Sequence, residues 1–217
     1  MEETLADAHR CLGLDFSVLK VKTGLDLEQD LERLSRLRES VGRDIVIRVD
    51  ANQGYTRDET IRFFEKTASL DLEFVEQPMQ AGAVDSMREL PEVWKNRIAA
   101  DESLLDDADA VTLAAPPHAC GIFNIKLMKC GGIRPAIRIA GVAQAAGIDL
   151  MWGCMDESRI SIAAALHAAF ASPATRYLDL DGSLDLARDV AAGGFVIEQG
   201  RMRLTDAPGL GISALRP

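Results

Sequence analysis

Short apolar runs alternate with longer amphipathic segments along this chain. Most of the runs are rich in Val, Ile, Leu and Phe, which is the composition of strands covered on both faces. The predicted strands are residues 17–22, 44–50, 72–76, 97–101, 123–126, 148–153 and 176–179. Because these strands alternate with helical segments, we predict parallel pairing with right-handed crossovers.

The segments between the strands have the three- and four-residue spacing of helices. In residues 25–41, for example, apolar side chains recur at positions 27, 31, 34, 37 and 41, with charged residues between them. Asp106 and Ser158 are expected N-caps, and Gly147 is an expected C-cap. The predicted helices are residues 4–12, 25–41, 56–70, 83–90, 106–115, 134–146 and 158–171.

The pattern changes after residue 182. Phe195–Glu198 and Arg201–Leu204 predict an antiparallel hairpin, and residues 207–212 predict an extended tail with tight turns. The sequence contains no linker or low-complexity region. Residues 1–217 are therefore predicted to form one domain, with strand–helix units over residues 1–182 and a C-terminal hairpin and tail over residues 183–217.

Each predicted strand ends at a marker residue, and consecutive markers lie 25 to 28 residues apart. The markers are Lys22, Asp50, Glu76, Asp101, Lys126, Gly153 and Asp179. This spacing fits one strand–loop–helix unit, and charged residues at strand ends predict a TIM-type (β/α)7β barrel with its active site at the mouth. Seven strands are one short of a closed barrel, so we expect the first barrel strand to be missing from this chain.

Composition narrows the range of partners. The formal charge of −10 argues against nucleic acid and anionic membranes, since both attract concentrated Lys and Arg. The four cysteines form no C-x-x-C pair, which favours reduced thiols. The longest apolar stretch, residues 160–171, is too short to span a bilayer. We expect a soluble, cytoplasmic protein that acts on a small molecule.

Three acidic residues, Asp50, Glu76 and Asp101, end three consecutive strands. Adjacent parallel strands lie ~4.8 Å apart, so carboxylates at the same height converge on a point the size of a cation. Oxygen ligands without His or Cys favour Mg²⁺, or Mn²⁺ in its place, over zinc. One such acid is equally well explained by a helix cap or an Arg partner, but three in register predict a metal site.

Lysines flank the predicted carboxylates. Lys20 and Lys22 alternate with Val21 on one strand, so their amines are expected on the same side. A second cation and a nearby metal lower the pKa of an amine, which favours the neutral, basic form. Lys126 ends the strand four positions after that of Lys22, which is diametrically opposite in an eight-stranded ring. The pattern predicts two catalytic lysines that face each other across the mouth.

A second acidic group ends the last predicted strand. Asp179 and Asp181 flank Leu180, and two like charges on one side repel each other unless a cation lies between them. A substrate ammonium is the natural candidate, and two solvated turn acids are the alternative. Glu157, just beyond the strand that ends at Gly153, is equally a substrate contact or part of a helix cap.

Together these motifs closely resemble the enolase superfamily, in its muconate-lactonizing-enzyme branch. The matching segments are Lys20-Val-Lys22, Asp50-Ala-Asn52, Glu76-Gln-Pro78, Ala100-Asp-Glu-Ser103, Asn124-Ile-Lys126-x-x-Lys-x-Gly-Gly132 and Pro208-Gly-Leu-Gly211. Within the branch, Asp179-x-Asp181 resembles the dipeptide epimerases of the L-Ala-D/L-Glu epimerase type, in which such a pair holds the substrate ammonium.

The resemblance implies a Mg²⁺-dependent isomerase that inverts the α-carbon of a dipeptide. The ion would stabilise an enediolate, while Lys22 and Lys126 transfer the α-proton between opposite faces and Lys20 tunes Lys22. The implied substrate contacts are Asp179, Asp181, Glu157 and Asn52. The resemblance also implies a homo-oligomer and an N-terminal α+β capping domain, which we expect to be missing from residues 1–217.

Two other interpretations remain open. A muconate cycloisomerase or o-succinylbenzoate synthase of the same branch would leave Asp179 and Asp181 without a cationic partner. A non-catalytic or incomplete barrel would account for the expected missing cap, but not for the presence of both Lys22 and Lys126. The sequence does not reveal which dipeptide is used.

Overall fold

The computed structural model describes residues 2–215. The chain divides into two compact units. Unit 1 comprises the residues up to Ser103 together with Pro116–Gly121, and unit 2 comprises Leu104–Ala115 together with the residues from Ile122 onward.

In unit 1, four strands alternate with helices, and each strand pairs in parallel with the next one along the chain. The strands are β1 (Val18–Lys22), β2 (Val46–Asp50), β3 (Leu72–Glu76) and β4 (Ile98–Ala100). The helices are α1 (Glu2–Leu12), α2 (Leu27–Val41), α3 (Arg57–Lys66), α4 (Val84–Arg88) and α5 (Glu92–Lys95), with a 3₁₀ turn at Ala68–Leu70.

Local signals set the boundaries of these helices. The Asp26 side chain accepts a hydrogen bond from Gln29 N at 2.9 Å and begins α2. Thr56 and Glu59 form a reciprocal capping box that begins α3. The predicted helix 56–70 is interrupted, because α3 ends at Lys66 before the 3₁₀ turn. The predicted helix 83–90 is only α4, and α5, which the sequence did not predict, begins directly after Pro91.

In unit 2, three further parallel strands alternate with helices, and two small antiparallel sheets follow. The parallel strands are β5 (Ile122–Ile125), β6 (Asp149–Gly153) and β7 (Thr175–Asp179). The helices are α6 (Asp107–Ala114), α7 (Leu127–Cys130), α8 (Ile133–Ala146) and α9 (Arg159–Phe170). The antiparallel strands are β8 (Ala191–Gly193), β9 (Phe195–Glu198), β10 (Arg201–Leu204) and β11 (Ile212–Leu215).

The three expected helix caps are confirmed. The Asp106 side chain accepts hydrogen bonds from Ala108 N and Asp109 N at 2.9 and 3.0 Å. The Ser158 hydroxyl accepts one from Ile160 N at 3.2 Å, and Gly147 ends α8 in the left-handed conformation at φ 70°. These caps could be predicted from the sequence because a cap depends on residues next to it in the chain.

The C-terminal hairpin of β9 and β10 is confirmed, whereas the pairing of β8 with β11 was not predicted. Arg159 on α9 contacts the ends of β8 and β9. Its Nε donates to Gly193 O at 2.7 Å, and its guanidinium lies 4.0 Å from the centroid of the Phe195 ring. One arginine therefore joins the long helix to the strands that follow β7.

The alternation of parallel strands with helices confirms the TIM-type barrel class, and within residues 2–215 the parallel strands number seven. The prediction that residues 1–217 form one domain stays a prediction. Across the described part of the chain, no helix has both the length and the apolar character needed to cross a membrane.

Candidate active site

Unit 1 carries the predicted metal ligands at the ends of its strands. Asp50 is the register partner of Glu76 and also of Lys22, and Glu76 is the partner of Ala99, two residues before Asp101. Asp50 and Glu76 are fully buried, and Asp101 is 3% exposed. Because carboxylates rarely occupy such positions without compensation, the burial indicates a site built around positive charge.

Two lysines on β1 supply positive charge to this site. Lys22 Nζ donates to Asp50 Oδ2 at 2.6 Å. Lys20 Nζ lies 3.4 Å from Glu76 Oε2 and 3.8 Å from Asp50 Oδ2. The Lys20 side chain is 17% exposed and the Lys22 side chain is 62% exposed. The Lys22 amine is therefore the one that solvent or a substrate reaches.

Within residues 2–215, no three His, Cys, Asp or Glu side chains are grouped as a metal site. The ammonium groups of Lys20 and Lys22 hold Asp50 and Glu76 instead. The donor set still fits a hard divalent cation, because it consists of buried carboxylate oxygens at the ends of neighbouring strands. Asp50, Glu76 and Asp101 thus have the chemistry needed to hold Mg²⁺.

Two glycines allow the loops after β1 and β2 to lie against each other. A Cβ atom on Gly24, whose φ is 98°, would lie 2.0 Å from Ala51 O. A Cβ atom on Gly54 would lie 2.0 Å from Gly24 O. Since no larger residue fits at either position, glycine here keeps the loop that follows Lys22 beside the loop that follows Asp50.

Asp30 on α2 supports the same two loops. Its Oδ2 accepts hydrogen bonds from Gly24 N and from the Tyr55 hydroxyl, both at 2.8 Å. Its Oδ1 is paired with Arg33, which donates to Lys22 O at 2.8 Å. Burial raises the pKa of Tyr55 and the Asp30 carboxylate raises it further, so the phenol stays a donor. Sequence reasoning missed this group. The available signal was the three-residue spacing of Leu27, Asp30 and Arg33, which places the acid on the same side of an amphipathic helix as an apolar residue and a possible basic partner.

Asn52, a predicted substrate contact, contacts neighbouring loops in the structure. Its backbone N–H donates to Asp50 Oδ1 at 3.0 Å, and its φ of 41° places it in the left-handed region. Its side-chain Nδ2 donates to Glu102 Oε1 at 3.3 Å. Asn52 therefore orients a predicted metal ligand, and its role toward substrate stays a prediction.

In unit 2, Lys126 follows β5 directly and is 7% exposed. Space for its side chain comes from Gly153 at the end of β6. A Cβ atom on Gly153 would lie 3.1 Å from Lys126 Cε and 2.5 Å from Asn124 Oδ1. The uncharged marker residue thus has a steric role, because a side chain there would overlap Asn124 and crowd the predicted catalytic lysine.

The predicted ammonium-binding pair ends β7. Asp179 is the register partner of Gly153 and is half-buried, Leu180 is buried, and Asp181 is exposed. The Cys154 thiol donates to Asp179 O at 3.3 Å and lies 3.9 Å from Asp181 Oδ1. The two acids therefore lie in the same neighbourhood as the loop after β6, which carries Cys154.

Those acids add to the effect of burial on the ionisation of Cys154. Burial raises the pKa of this thiol to about 12; the hydrogen bond from Gly182 N opposes the shift, and the nearby carboxylates, of which Asp181 contributes most, reinforce it. At neutral pH the sulfur is a thiol and not a nucleophilic thiolate.

Glu157, predicted with equal weight as a substrate contact or a cap, is 5% exposed. Its Oε1 accepts a hydrogen bond from Met155 N at 2.8 Å, and its Oε2 accepts one from the Ser161 hydroxyl. Both oxygens thus tie the loop after β6 to the first turn of α9. This geometry favours the capping role, and contact with substrate stays a prediction.

Comparison with known proteins shows the family of this chain. The family model for enolase C-terminal domain-like proteins matches residues 2–216. The chain is 65% identical over 212 residues to an L-Lys-D/L-Arg epimerase of Methylococcus capsulatus, covering 98% of this chain and 60% of that protein. It is 57% identical over 215 residues to an L-Lys-D/L-Arg epimerase of Desulforapulum autotrophicum, covering 99% of this chain and 60% of that protein.

The structural similarity is equally close. The crystal structure of a dipeptide epimerase from Methylococcus capsulatus, complexed with Mg and the dipeptide L-Arg-D-Lys, matches with a TM-score of 0.96 and 65% identity. The match covers 97% of this chain and 60% of that chain. The present chain thus spans about 60% of the length of these relatives. It belongs to the enolase C-terminal domain-like family.

Proposed function

We propose that the full-length protein is a Mg²⁺-dependent dipeptide epimerase that acts on cationic dipeptides. The proposal rests on Asp50 and Glu76, two buried carboxylates that are register partners on neighbouring strands. The Lys22 ammonium contacts Asp50, and the Lys20 ammonium contacts Glu76. Relatives with 65% and 57% identity are L-Lys-D/L-Arg epimerases, which supports both the reaction and the charge of the substrate.

In this proposal Asp50, Glu76 and Asp101 would hold the ion, which would supply positive charge to stabilise negative charge on the substrate carboxylate. Lys22 is the more exposed amine on β1 and transfers the α-proton of one stereoisomer. Lys126 transfers the α-proton of the other. Lys20, less exposed and closer to Glu76 than to Asp50, keeps positive charge beside the predicted metal ligands.

Asp179 and Asp181 are proposed to receive the free ammonium of the dipeptide. An ammonium between two carboxylates forms charge-assisted hydrogen bonds that a neutral group does not form. Binding of the ammonium by Asp179 and Asp181 would leave the other residue of the dipeptide, which carries the free carboxylate, available for reaction. The effect of Asp181 and Asp179 on the Cys154 pKa supports a local negative potential suited to this role.

The test follows α-proton exchange in D₂O by NMR with the full-length protein and L-Lys-L-Arg, L-Ala-L-Glu and N-acetylated L-Lys-L-Arg. We expect exchange with L-Lys-L-Arg to exceed that with L-Ala-L-Glu by about tenfold or more in kcat/KM, because the relatives at 65% and 57% identity are L-Lys-D/L-Arg epimerases and ~1.4 kcal/mol of extra binding already gives tenfold. The acetylated peptide should not react.

Asp179→Asn should raise KM about tenfold or more for the same reason, whereas Asp185→Asn, on an exposed residue of the following loop, is the matched control. A protein that ignores all dipeptides but cyclises a muconate or dehydrates an o-succinylbenzoate precursor would reject the proposal in favour of the other branch activities. A folded full-length protein without any of these activities would favour a non-catalytic barrel.

The proposed partner is a small dipeptide, without nucleic acid or membrane, which agrees with the formal charge of −10. A cytoplasmic location agrees with four cysteines that are all free thiols. We also propose a homo-oligomer, which sedimentation of the full-length protein tests directly, and cell fractionation tests the location.

A further inference from the structure

Gln77 lies between the predicted ligand Glu76 and Pro78, and its conformation is unusual. The residue is fully buried, and its φ is 33°, in the left-handed region that a residue with a side chain rarely adopts. A buried polar residue in a disfavoured conformation persists only where its surroundings hold it there. The contacts of Gln77 show what those surroundings are.

The side-chain amide of Gln77 uses its full hydrogen-bonding capacity. Its Oε1 accepts from Asp101 N at 2.9 Å and from Ser103 N at 3.1 Å. Its Nε2 donates to Met79 O at 2.8 Å and to Ser103 Oγ at 2.7 Å. A primary amide has two acceptor sites and two N–H donors, so all four are occupied.

The backbone of Gln77 joins the neighbouring strand ends as well. Gln77 N donates to Ala99 O at 2.8 Å, and Gln77 O accepts from Gln53 N at 2.8 Å. Gln53 lies three residues beyond Asp50, and Ala99 lies two residues before Asp101. One residue therefore contacts the chain segments that carry all three predicted metal ligands.

We propose that Gln77 is a positioning residue that fixes the Asp101–Ser103 loop relative to Glu76 and thereby sets the Mg²⁺ affinity of the site; this inference rests on the proposed function. The side chain never needs to touch the ion. It accepts hydrogen bonds from the backbone N–H groups of Asp101 and Ser103, so the predicted ligand Asp101 is oriented before any ion binds. Residues that orient metal ligands in this way have large effects on affinity.

Glutamine is the residue that this arrangement requires. Glutamate keeps the acceptor oxygen but replaces the Nε2 donors with an oxygen facing the carbonyl of Met79, which is repulsive. Methionine has a similar length but no amide, so it removes all four bonds. Asparagine is one methylene shorter and does not span the distance from the end of β3 to residues 101–103.

The experiment measures Mg²⁺ binding to the full-length protein by calorimetry, without substrate. Gln77→Met should weaken the Mg²⁺ Kd by about 10- to 100-fold relative to the native protein. In the metal-free protein, the amides of Asp101 and Ser103 should exchange with D₂O faster, because their acceptor is gone. Unchanged Mg²⁺ affinity in a folded Gln77→Met protein would overturn the proposal.

Gln80→Met is the matched control. Gln80 is exposed and its side chain donates one hydrogen bond, to Gln53 O at 2.8 Å, on the same loop. We expect its Mg²⁺ affinity to stay within about threefold of native, since surface substitutions usually have small effects. An equal loss in both variants would contradict a specific role for Gln77.

Ser103→Ala decides the question if Gln77→Met does not fold. This change removes one of the four amide bonds from the partner side and leaves both acceptor contacts of Oε1 in place. It should weaken Mg²⁺ binding by less than the 10- to 100-fold expected for the loss of all four bonds; no change would count against the proposal. If the native protein binds Mg²⁺ and epimerises dipeptides but Gln77→Met binds Mg²⁺ equally well, this inference alone is wrong. A native protein that does not bind Mg²⁺ rejects the proposed function with it.

Discussion

Asp50 shows how single contacts prepare a ligand. Its Oδ2 pairs with Lys22 at 2.6 Å, its Oδ1 accepts from Asn52 N at 3.0 Å, and its backbone oxygen accepts from Thr23 N at 2.8 Å. Each acceptor has a different partner, so the side chain is fixed in one orientation. A carboxylate that is already oriented needs little reorganisation when a cation or substrate arrives.

Cys154 provides a residue-scale prediction about ionisation. Its pKa is raised from the ordinary 9.0 to about 12, so the folded state favours the protonated thiol and the thiolate forms only as pH approaches 12. Alkylation by iodoacetamide at pH 9 should be roughly 100-fold slower at Cys154 in the folded protein than in guanidinium, because the thiolate is the reactive form. Mass spectrometry of the labelled peptide measures both rates.

The neighbours of Cys154 supply the control for that measurement. Removing the charge of Asp181, whose Oδ1 lies 3.9 Å from the sulfur, should lower the thiol pKa and speed alkylation in Asp181→Asn. Asp185→Asn should leave the rate unchanged. Equal alkylation rates in the folded and unfolded protein at pH 9 would show that the thiol is not protected.

At the scale of elements, Arg38 near the end of α2 joins the helix to two connections. Its guanidinium donates to Gly42 O at 2.7 Å, Ile45 O at 2.6 Å, Leu70 O at 2.8 Å and Asp71 O at 3.1 Å. These carbonyls precede β2 and β3, so one side chain fixes where both strands begin. Burial lowers the pKa of Arg38, and the four carbonyls supply the hydrogen bonds that its buried guanidinium needs.

Arg38→Met should therefore destabilise the protein strongly. Four backbone carbonyls lose a charged donor together, and a hydrogen bond to a charged group contributes ~1.5–3 kcal/mol, so we expect a loss of about 3 kcal/mol or more in the free energy of unfolding. Urea titration followed by circular dichroism measures this. Arg36→Met is the control, because Arg36 is 57% exposed and forms a surface ion pair with Glu32, and it should change stability by less than about 1 kcal/mol. Similar losses in both variants would contradict the assignment.

At the scale of the whole molecule, the proposed reaction assigns different stereoisomers to Lys22 and Lys126. In D₂O, Lys22→Ala should lose α-proton exchange from one epimer about 100-fold more than from the other, and Lys126→Ala should show the opposite preference, because each lysine is the general base for one face. NMR of both epimers with the full-length protein measures the four rates.

Lys66→Ala, on an exposed residue at the end of α3, is the control and should exchange both epimers at the native rate. Equal loss of exchange from both epimers in either active-site variant would contradict a two-base mechanism. Loss of Mg²⁺ binding in those variants would instead assign the lysines to the metal site.

The elements that depend on neighbouring residues were predictable. Helix caps at Asp106, Ser158 and Gly147 and the hairpin of β9 and β10 were predicted at the positions the structure shows. The pairing of β8 with β11 was not, because Ala191–Gly193 has no apolar periodicity and its partner begins 19 residues later. Short helices such as α5 and α7 span about one turn, which is too little sequence for a periodic signal.

The sequence by itself determined where charged residues fall relative to strand ends, because a buried strand must be apolar and a polar residue marks its end. That pattern was enough to predict the barrel class and to select Asp50, Glu76, Asp101 and the lysines as candidates. Only the tertiary structure decided what supports them. The contacts of Asp30, Gln77 and Gly153 join residues that are distant in the chain, and neither composition nor periodicity records which buried polar group meets which backbone amide once the loops are packed.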